Sequence, residues 1–354
     1  MSSRPDKPAV KRPVLAVGAV LAGLAVLLFG APGAAYASST AQWQITNLHA
    51  RLAWRQSTGA GVIVAVLDSG VDAQHPDLTG QVLPGADFVD GSTNGQVDFV
   101  GHGTTVAGLI AARNRPGGLV GLAPAAKILP VRVLDKTNRY SDATTVARGL
   151  RWAVDHGARV VNMSLGGSGR SVALADAIDY AYQHDVVVIA CTGNLIEGGT
   201  NDVWYPAREP GVVAVSGLAE ARAGNPTRVS LWSGALTGPA TVLTAPAVDM
   251  LGAKPGGYWR VQGTSFAAPL VAAAAALVRS KWPAMSAPNV INRLISTAQD
   301  LGAPGRDDTY GFGEVNPVAA LTASVPVVAE NPLAPSPPPA PAPLAASSTR
   351  TPSG

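Results

Sequence analysis

Val64-Ala65-Val66-Leu67-Asp68-Ser69-Gly70-Val71-Asp72 decides how the chain is read. Four apolar residues run without alternation into an acid, and a turn of small residues follows. A strand that is apolar at every position, rather than every second one, is covered on both faces, as in a parallel sheet between helices. The acid ends that strand. In an open α/β sheet, sites form at the carboxyl ends of the strands, so an Asp there can be held partly buried and aimed at a neighbour. Taken alone, Asp68 would be a turn residue or a helix N-cap.

The same punctuation recurs on either side. Residues 62–67, 128–134, 159–163, 186–190 and 212–215 are short apolar runs that predict strands. Residues 104–113, 142–156, 171–184, 265–281 and 287–298 predict helices between and after them. This alternation implies an α/β fold of three layers, α/β/α, around a central, mostly parallel sheet. The 354 residues, 47% hydrophobic, suffice for one large core. Only 14% are charged and the net charge is +3. No Lys/Arg cluster with interleaved aromatics occurs, so no nucleic-acid partner is expected. Cys191 is the one cysteine, which excludes an intramolecular disulfide. It reads as a small buried hydrophobe rather than a reactive thiol.

The ends differ from the middle. Arg4, Lys7, Lys11 and Arg12 precede an apolar run over 14–29, and Ala35-Tyr36-Ala37 follows. This is the layout of a signal peptide, assigned to residues 1–37, with cleavage before Ser38. An uncleaved anchor is the alternative, although the run is shorter than the roughly 20 residues of a comfortable span. Residues 38–58, with Trp43, Leu48, Leu52 and Trp54, form an amphipathic lead-in. The domain is expected over 59–321. Residues 322–354 are rich in Pro, Ala and Ser and read as a disordered, polyproline-like tail, or more sharply as a cell-wall spacer or partner ligand.

Two further segments carry chemistry. Gly101-His102-Gly103-Thr104-Thr105-Val106-Ala107-Gly108 sets a histidine between glycines where a helix begins. The glycines let the backbone pass close to a substrate or a neighbouring strand. Gly263-Thr264-Ser265-Phe266-Ala267-Ala268-Pro269 sets a serine at the start of a helix so apolar that it must be buried. Read singly, Ser265 is an N-cap. Read as a nucleophile, it stands at the positive end of a helix dipole, where an oxyanion is favoured.

VAVLDSGVD, GHGTTVAG and GTSFAAP, in the order Asp, His, Ser, resemble the subtilase family of serine peptidases from about residue 59 to 321. The order is that of subtilisin and not of the α/β-hydrolases, and no nucleophile elbow is present, which excludes an esterase of that type. The resemblance implies a serine endopeptidase acting on polypeptides, with Asp68, His102 and Ser265 as its triad. It implies Asn194 as a side-chain donor of the oxyanion hole, although Asn194 beside Gly193 is also an ordinary turn residue. It further implies that Ser164, Leu165 and Gly166 line one wall of the S1 pocket and that Ala190, Cys191 and Thr192 line the other. Trp204 falls at the pocket floor, where a bulky ring would favour small P1 residues, unless it packs elsewhere.

Departures from the family carry their own expectations. Residues 38–58 are too few for a folded propeptide, since an independent fold needs roughly 40 residues. Asp77 falls where a calcium ligand often stands, but Arg115 occupies a usual Asn position, and a guanidinium repels a cation. No cofactor and no tight calcium or other metal are expected. The layout is also similar to mycosins, proteases of type VII secretion. Those usually continue into a membrane helix and contain disulfides, and this sequence has neither an apolar span after the tail nor a second cysteine. A secreted or cell-envelope location, action as a monomer, and membrane or secretion-system association as a secondary possibility complete the expectations.

Overall fold

The computed structural model describes residues 42–221 and 229–334. The expected signal segment at 1–37 and the tail beyond Ala334 lie outside the described residues.

Eight strands form the main sheet. The path runs β2 (Ala86–Asp87), β3 (Lys127–Arg132), β1 (Ile63–Asp68), β4 (Val160–Met163), β5 (Val187–Cys191), β6 (Val213–Glu220), β7 (Val229–Leu231), and β8 (Leu243–Pro246) also pairs with β6. Every pairing is parallel except that of β6 with β7. β1 is interior: Leu67 is in register with Val131 on one side and Met163 on the other. Its apolar run follows from that place, for Val64, Ala65, Val66 and Leu67 are all buried.

Helices cover both faces. α4 (Ala143–Asp155) and α5 (Val172–Gln183) pack together as one layer, against β1, β3 and β5. α4 is capped by Asp142, whose carboxylate accepts from Thr144 N and Thr145 N, and α5 by Ser171, which accepts from Leu174 N at 3.3 Å. The other layer holds α3 (His102–Ala111) against α6 (Thr264–Lys281), with α6 lying along β4, β5, β6 and β8. α6 is buried from Thr264 to Arg279. Its alanines let the backbone pass close beneath the sheet, and every apolar atom removed from water contributes. A two-stranded hairpin, β9 (Met250–Lys254) and β10 (Gly257–Val261), leads directly into α6 and packs on α3.

The ordered body is larger than the expected 59–321. Upstream, α1 (Trp43–Asn47) and α2 (Ala50–Ala53) are docked by side chains. Trp43 Nε1 donates to Val248 O at 2.9 Å, Trp54 Nε1 donates to Leu122 O at 2.8 Å, and the Gln42 amide pairs with both backbone groups of Val120. Downstream, α7 (Ala287–Ser296) and α8 (Pro317–Thr322) are followed by a strap rather than by free chain. Asn289 pairs with Val328, Asn292 donates to Pro326 O, and Gly211 exchanges hydrogen bonds with Leu333 and Asn331. The assignment of 322–334 to a disordered tail is therefore corrected. Three asparagine side chains supply partners to a backbone that its prolines keep from pairing as a strand.

Candidate active site

Asp68 is the last residue of β1 and fully buried. His102 opens α3, and its Nδ1 lies 2.7 Å from Asp68 Oδ1. A carboxylate accepts, so Nδ1 carries the proton and Nε2 is the basic nitrogen. The approach of α3 to the end of β1 depends on Gly103: a Cβ there would lie 2.0 Å from Gly70 O and 3.1 Å from Asp68 Cβ. Burial pushes the His102 imidazole down, but the charge and hydrogen bond of Asp68, with a smaller contribution from Asp98, raise it above its ordinary value. His102 Nε2 is buried and makes no hydrogen bond.

Ser265 stands in the first turn of α6, and the ring of Phe266 beside it packs on the His102 imidazole with centroids 5.3 Å apart. The Ser265 hydroxyl has its polar contact with Cys191 Sγ, at 3.9 Å, and not with Nε2. Catalytic pairs are commonly open without substrate. The nucleophile's backbone is held from below. Pro269 has no N–H, so the carbonyl of Ser265, four residues earlier, loses its helical partner. Ser164 Oγ replaces it, donating to Ser265 O at 2.6 Å, and itself accepts from Asn162 Nδ2 at 2.9 Å. The Ser164 side chain thus holds the first turn of α6 at Ser265.

Asn194 follows β5. Its Oδ1 accepts from both Thr264 N and Thr264 Oγ1, each at 3.0 Å, which fixes the amide orientation and leaves Nδ2 as a donor. Nδ2 lies beside Gly263, 3.6 Å from where a Cβ would stand. Gly263 in turn directly precedes the first turn of α6, which carries Ser265. Thr264 was not singled out from the sequence, although its place between Gly263 and Ser265 was the available signal. Its hydroxyl also accepts from Gly193 N at 3.2 Å.

The segments at 164–167, 190–193 and 204–205 are joined. Gly167 and Tyr205 exchange both backbone hydrogen bonds, at 2.9 and 2.7 Å, and Trp204 N donates to Thr192 O at 2.9 Å. The Trp204 ring covers the space left by two glycines. A Cβ on Gly193 would lie 2.4 Å from Trp204 Cδ2, and one on Gly166 would lie 3.4 Å from Trp204 Cε3. Leu165, Ala190 and Thr192 are all buried. Cys191 is buried too, and burial pushes its thiol up to about 11, which leaves it protonated and inert.

Asp77 sits away from this site, and its surroundings do not fit a calcium ion. Arg115 Nη1 lies 3.1 Å from Oδ1, while Tyr258 OH and Leu119 N each donate to Oδ2 at 2.8 Å. The Arg115 guanidinium stands against the carboxylate oxygen that a divalent cation would have to take.

An acid–histidine pair and a helix-borne serine thus stand at the strand ends of a parallel sheet. Residues 59–313 match the profile of the subtilase family, peptidase S8, and the chain belongs to that family. It is 42% identical to subtilisin of Bacillus pumilus over 267 residues, 74% of this chain and 92% of that protein. It is also 42% identical to subtilisin E of Bacillus subtilis, over 74% of this chain and 66% of that one. Among solved structures it is similar to fervidolysin from Fervidobacterium pennivorans, a keratinolytic enzyme related to subtilisin, with TM-score 0.73 and 31% identity over 84% of this chain and 49% of that chain. It is likewise similar to the MycP3 protease from the type VII (ESX-3) secretion system, with TM-score 0.71 and 32% identity over 84% and 92%. The protein is a subtilisin-like serine endopeptidase.

Proposed function

We propose that this chain is an exported endopeptidase that cleaves polypeptides through Asp68, His102 and Ser265, with small residues preferred at P1. The observation that carries the reading is the closed Asp68–His102 hydrogen bond, with a free Nε2 beside the helix that bears Ser265. Ser265 Oγ attacks the scissile carbonyl as Nε2 takes its proton. The Ser265 N–H and Asn194 Nδ2 hold the oxyanion. The tetrahedral intermediate expels the amine, protonated by His102, and leaves an acyl-enzyme that water hydrolyses by the same steps in reverse. Labelling of wild type by a fluorophosphonate, absent in Ser265→Ala, is the expected result. A well-folded wild type that takes no label would sink the triad reading.

The P1 preference rests on the Trp204 ring between Gly166 and Gly193. Wild type should favour Ala over Phe at P1 in a peptide library. Trp204→Gly should move the Phe-to-Ala ratio of kcat/KM by at least about tenfold, since one methylene in a pocket is worth roughly 10- to 200-fold. A wild-type profile led by Phe or Leu, or a variant with the same profile, would refute it.

Calcium is not needed for the fold in this reading, because Arg115 and Tyr258 complete the surroundings of Asp77. The melting temperature should move by no more than about 1 °C in excess EDTA, against the several degrees that loss of a site worth ~2 kcal/mol would give. A fall of that larger size would count against the reading.

Export rests on the signal pattern at 1–37. No helix among the described residues is long and apolar enough to cross a membrane. A second reading, a mycosin-like protease with a partly structural role in a secretion system, is favoured by the likeness to MycP3. A deletion strain whose secretion is restored by Ser265→Ala would support that role.

A further inference from the structure

Asp98, in the loop before α3, is 6% exposed and accepts five hydrogen bonds. Oδ1 accepts from Ser69 Oγ at 2.9 Å, Val100 N at 2.9 Å and Gly101 N at 2.8 Å. Oδ2 accepts from Thr104 N at 2.9 Å and Thr104 Oγ1 at 2.6 Å. Every one of these donors sits within two residues of a triad member. Ser69 follows Asp68, Gly101 precedes His102, and Thr104 belongs to the same helical turn as His102. Ser69 Oγ also accepts from Gly103 N at 3.1 Å, so the link closes on the far side of His102 as well. Helix capping alone requires only Thr104 N and its neighbours. The bond to Ser69, the residue that directly follows Asp68 at the end of β1, lies outside any cap.

We infer that Asp98 is a positioning residue of the triad: its carboxylate ties the end of β1 to the start of α3 and so sets Asp68 against His102. It touches neither substrate nor reacting atoms, and the inference rests on the triad reading above. Two effects follow. Misplacement of a reacting group by about 1 Å costs up to about 100-fold in rate. Asp98 also adds a second negative charge behind the imidazolium that forms when His102 takes the Ser265 proton. Around that ring, β1 contributes Asp68, the loop contributes Asp98, and α6 and β5 contribute the neutral Ser265 and Cys191. Lys254 of β9 flanks Gly101, with its ammonium 5.3 Å from the centre of the Trp259 ring. Asp68 and Asp98 both favour the cation.

The test compares wild type, Asp98→Asn and Ser69→Ala on a chromogenic peptide anilide with Ala at P1, with active sites counted by fluorophosphonate titration. Asp98→Asn should lower kcat per titrated site about 10- to 100-fold with KM within about twofold. It should also move the acid limb of kcat/KM to lower pH, because a negative charge that favours the protonated ring is gone. Ser69→Ala keeps the carboxylate, and should lower kcat several-fold without moving that limb. Wild-type kcat and an unmoved limb in Asp98→Asn would overturn the inference. So would a variant that merely melts earlier while each titrated site turns over at the wild-type rate. If Asp98→Asn does not fold, Ser69→Ala decides: wild-type kcat there overturns the inference, and a loss with an unmoved limb sustains it. A wild type that takes no probe is a different failure, that of the triad itself.

Discussion

His102→Ala is expected to lower kcat by about 10⁶-fold, and Asp68→Asn by about 10⁴-fold, the sizes found for triads of this kind. The two numbers differ for a reason visible in the geometry. Without His102, the imidazole that takes the Ser265 proton is gone. With Asn at 68 the ring stays, but the acceptor that holds the proton on Nδ1, 2.7 Å away, is replaced by a group that can also donate. The imidazole then favours the tautomer with its proton on Nε2, which cannot accept from serine. KM should change little in either variant, because neither group binds the substrate in its ground state. Ser265→Ala added to His102→Ala should cost almost nothing more, since the triad acts as a unit. Steady-state kcat on a peptide anilide measures all three. A His102→Ala enzyme within about 100-fold of wild type would mean that another group takes the proton.

What was legible in the sequence, and what was not, follows from how each residue is held. β1, β4 and β5 were readable because interior strands must be apolar on both faces, and α6 because a buried helix has almost no polar residue. Asp68, His102 and Ser265 were readable because each ends or begins such an element. The β9–β10 hairpin was not. Tyr258, Trp259 and Arg260 are only partly buried or exposed and show no alternation, and their place is set by long-range bonds. Trp259 Nε1 donates to Thr105 Oγ1 at 2.7 Å and Tyr258 OH donates to Asp77. The strap at 323–334 was hidden for the opposite reason. Its composition is that of chains that do not pack, and the asparagines that hold it, Asn289 and Asn292, lie on α7, more than thirty residues upstream. The Asp98 network was hidden because an acid before a helix has many ordinary uses, and its link to Ser69 exists only in the fold.

Glu314→Gln is expected to stabilise the protein at pH 8 by about 3 kcal/mol and to change little at pH 5. Glu314 is buried, and burial pushes its carboxyl up to about 7, opposed weakly by the hydrogen bond from Asn47 Nδ2 on α1. The folded carboxyl therefore keeps its proton between about 4.5 and 7 while the unfolded one has lost it. The folded state binds more protons across that window, so stability is highest below it and falls as pH rises through it. Above pH 7 the folded chain carries an ionised, buried Glu314, and the accumulated loss over about 2.5 pH units is the ~3 kcal/mol named above. Glutamine reproduces the neutral form and can still accept from Asn47. Urea denaturation at pH 5, 6.5 and 8 measures the effect, and parallel curves for wild type and variant would refute it. The consequence reaches catalysis. His102 must be neutral to act as a base, and Asp68 raises the pH at which it becomes so. The conditions that free Nε2 thus overlap those that ionise Glu314. Raising the pH thus frees the base and charges a buried carboxyl together, and removing the charge of Glu314 should separate the two.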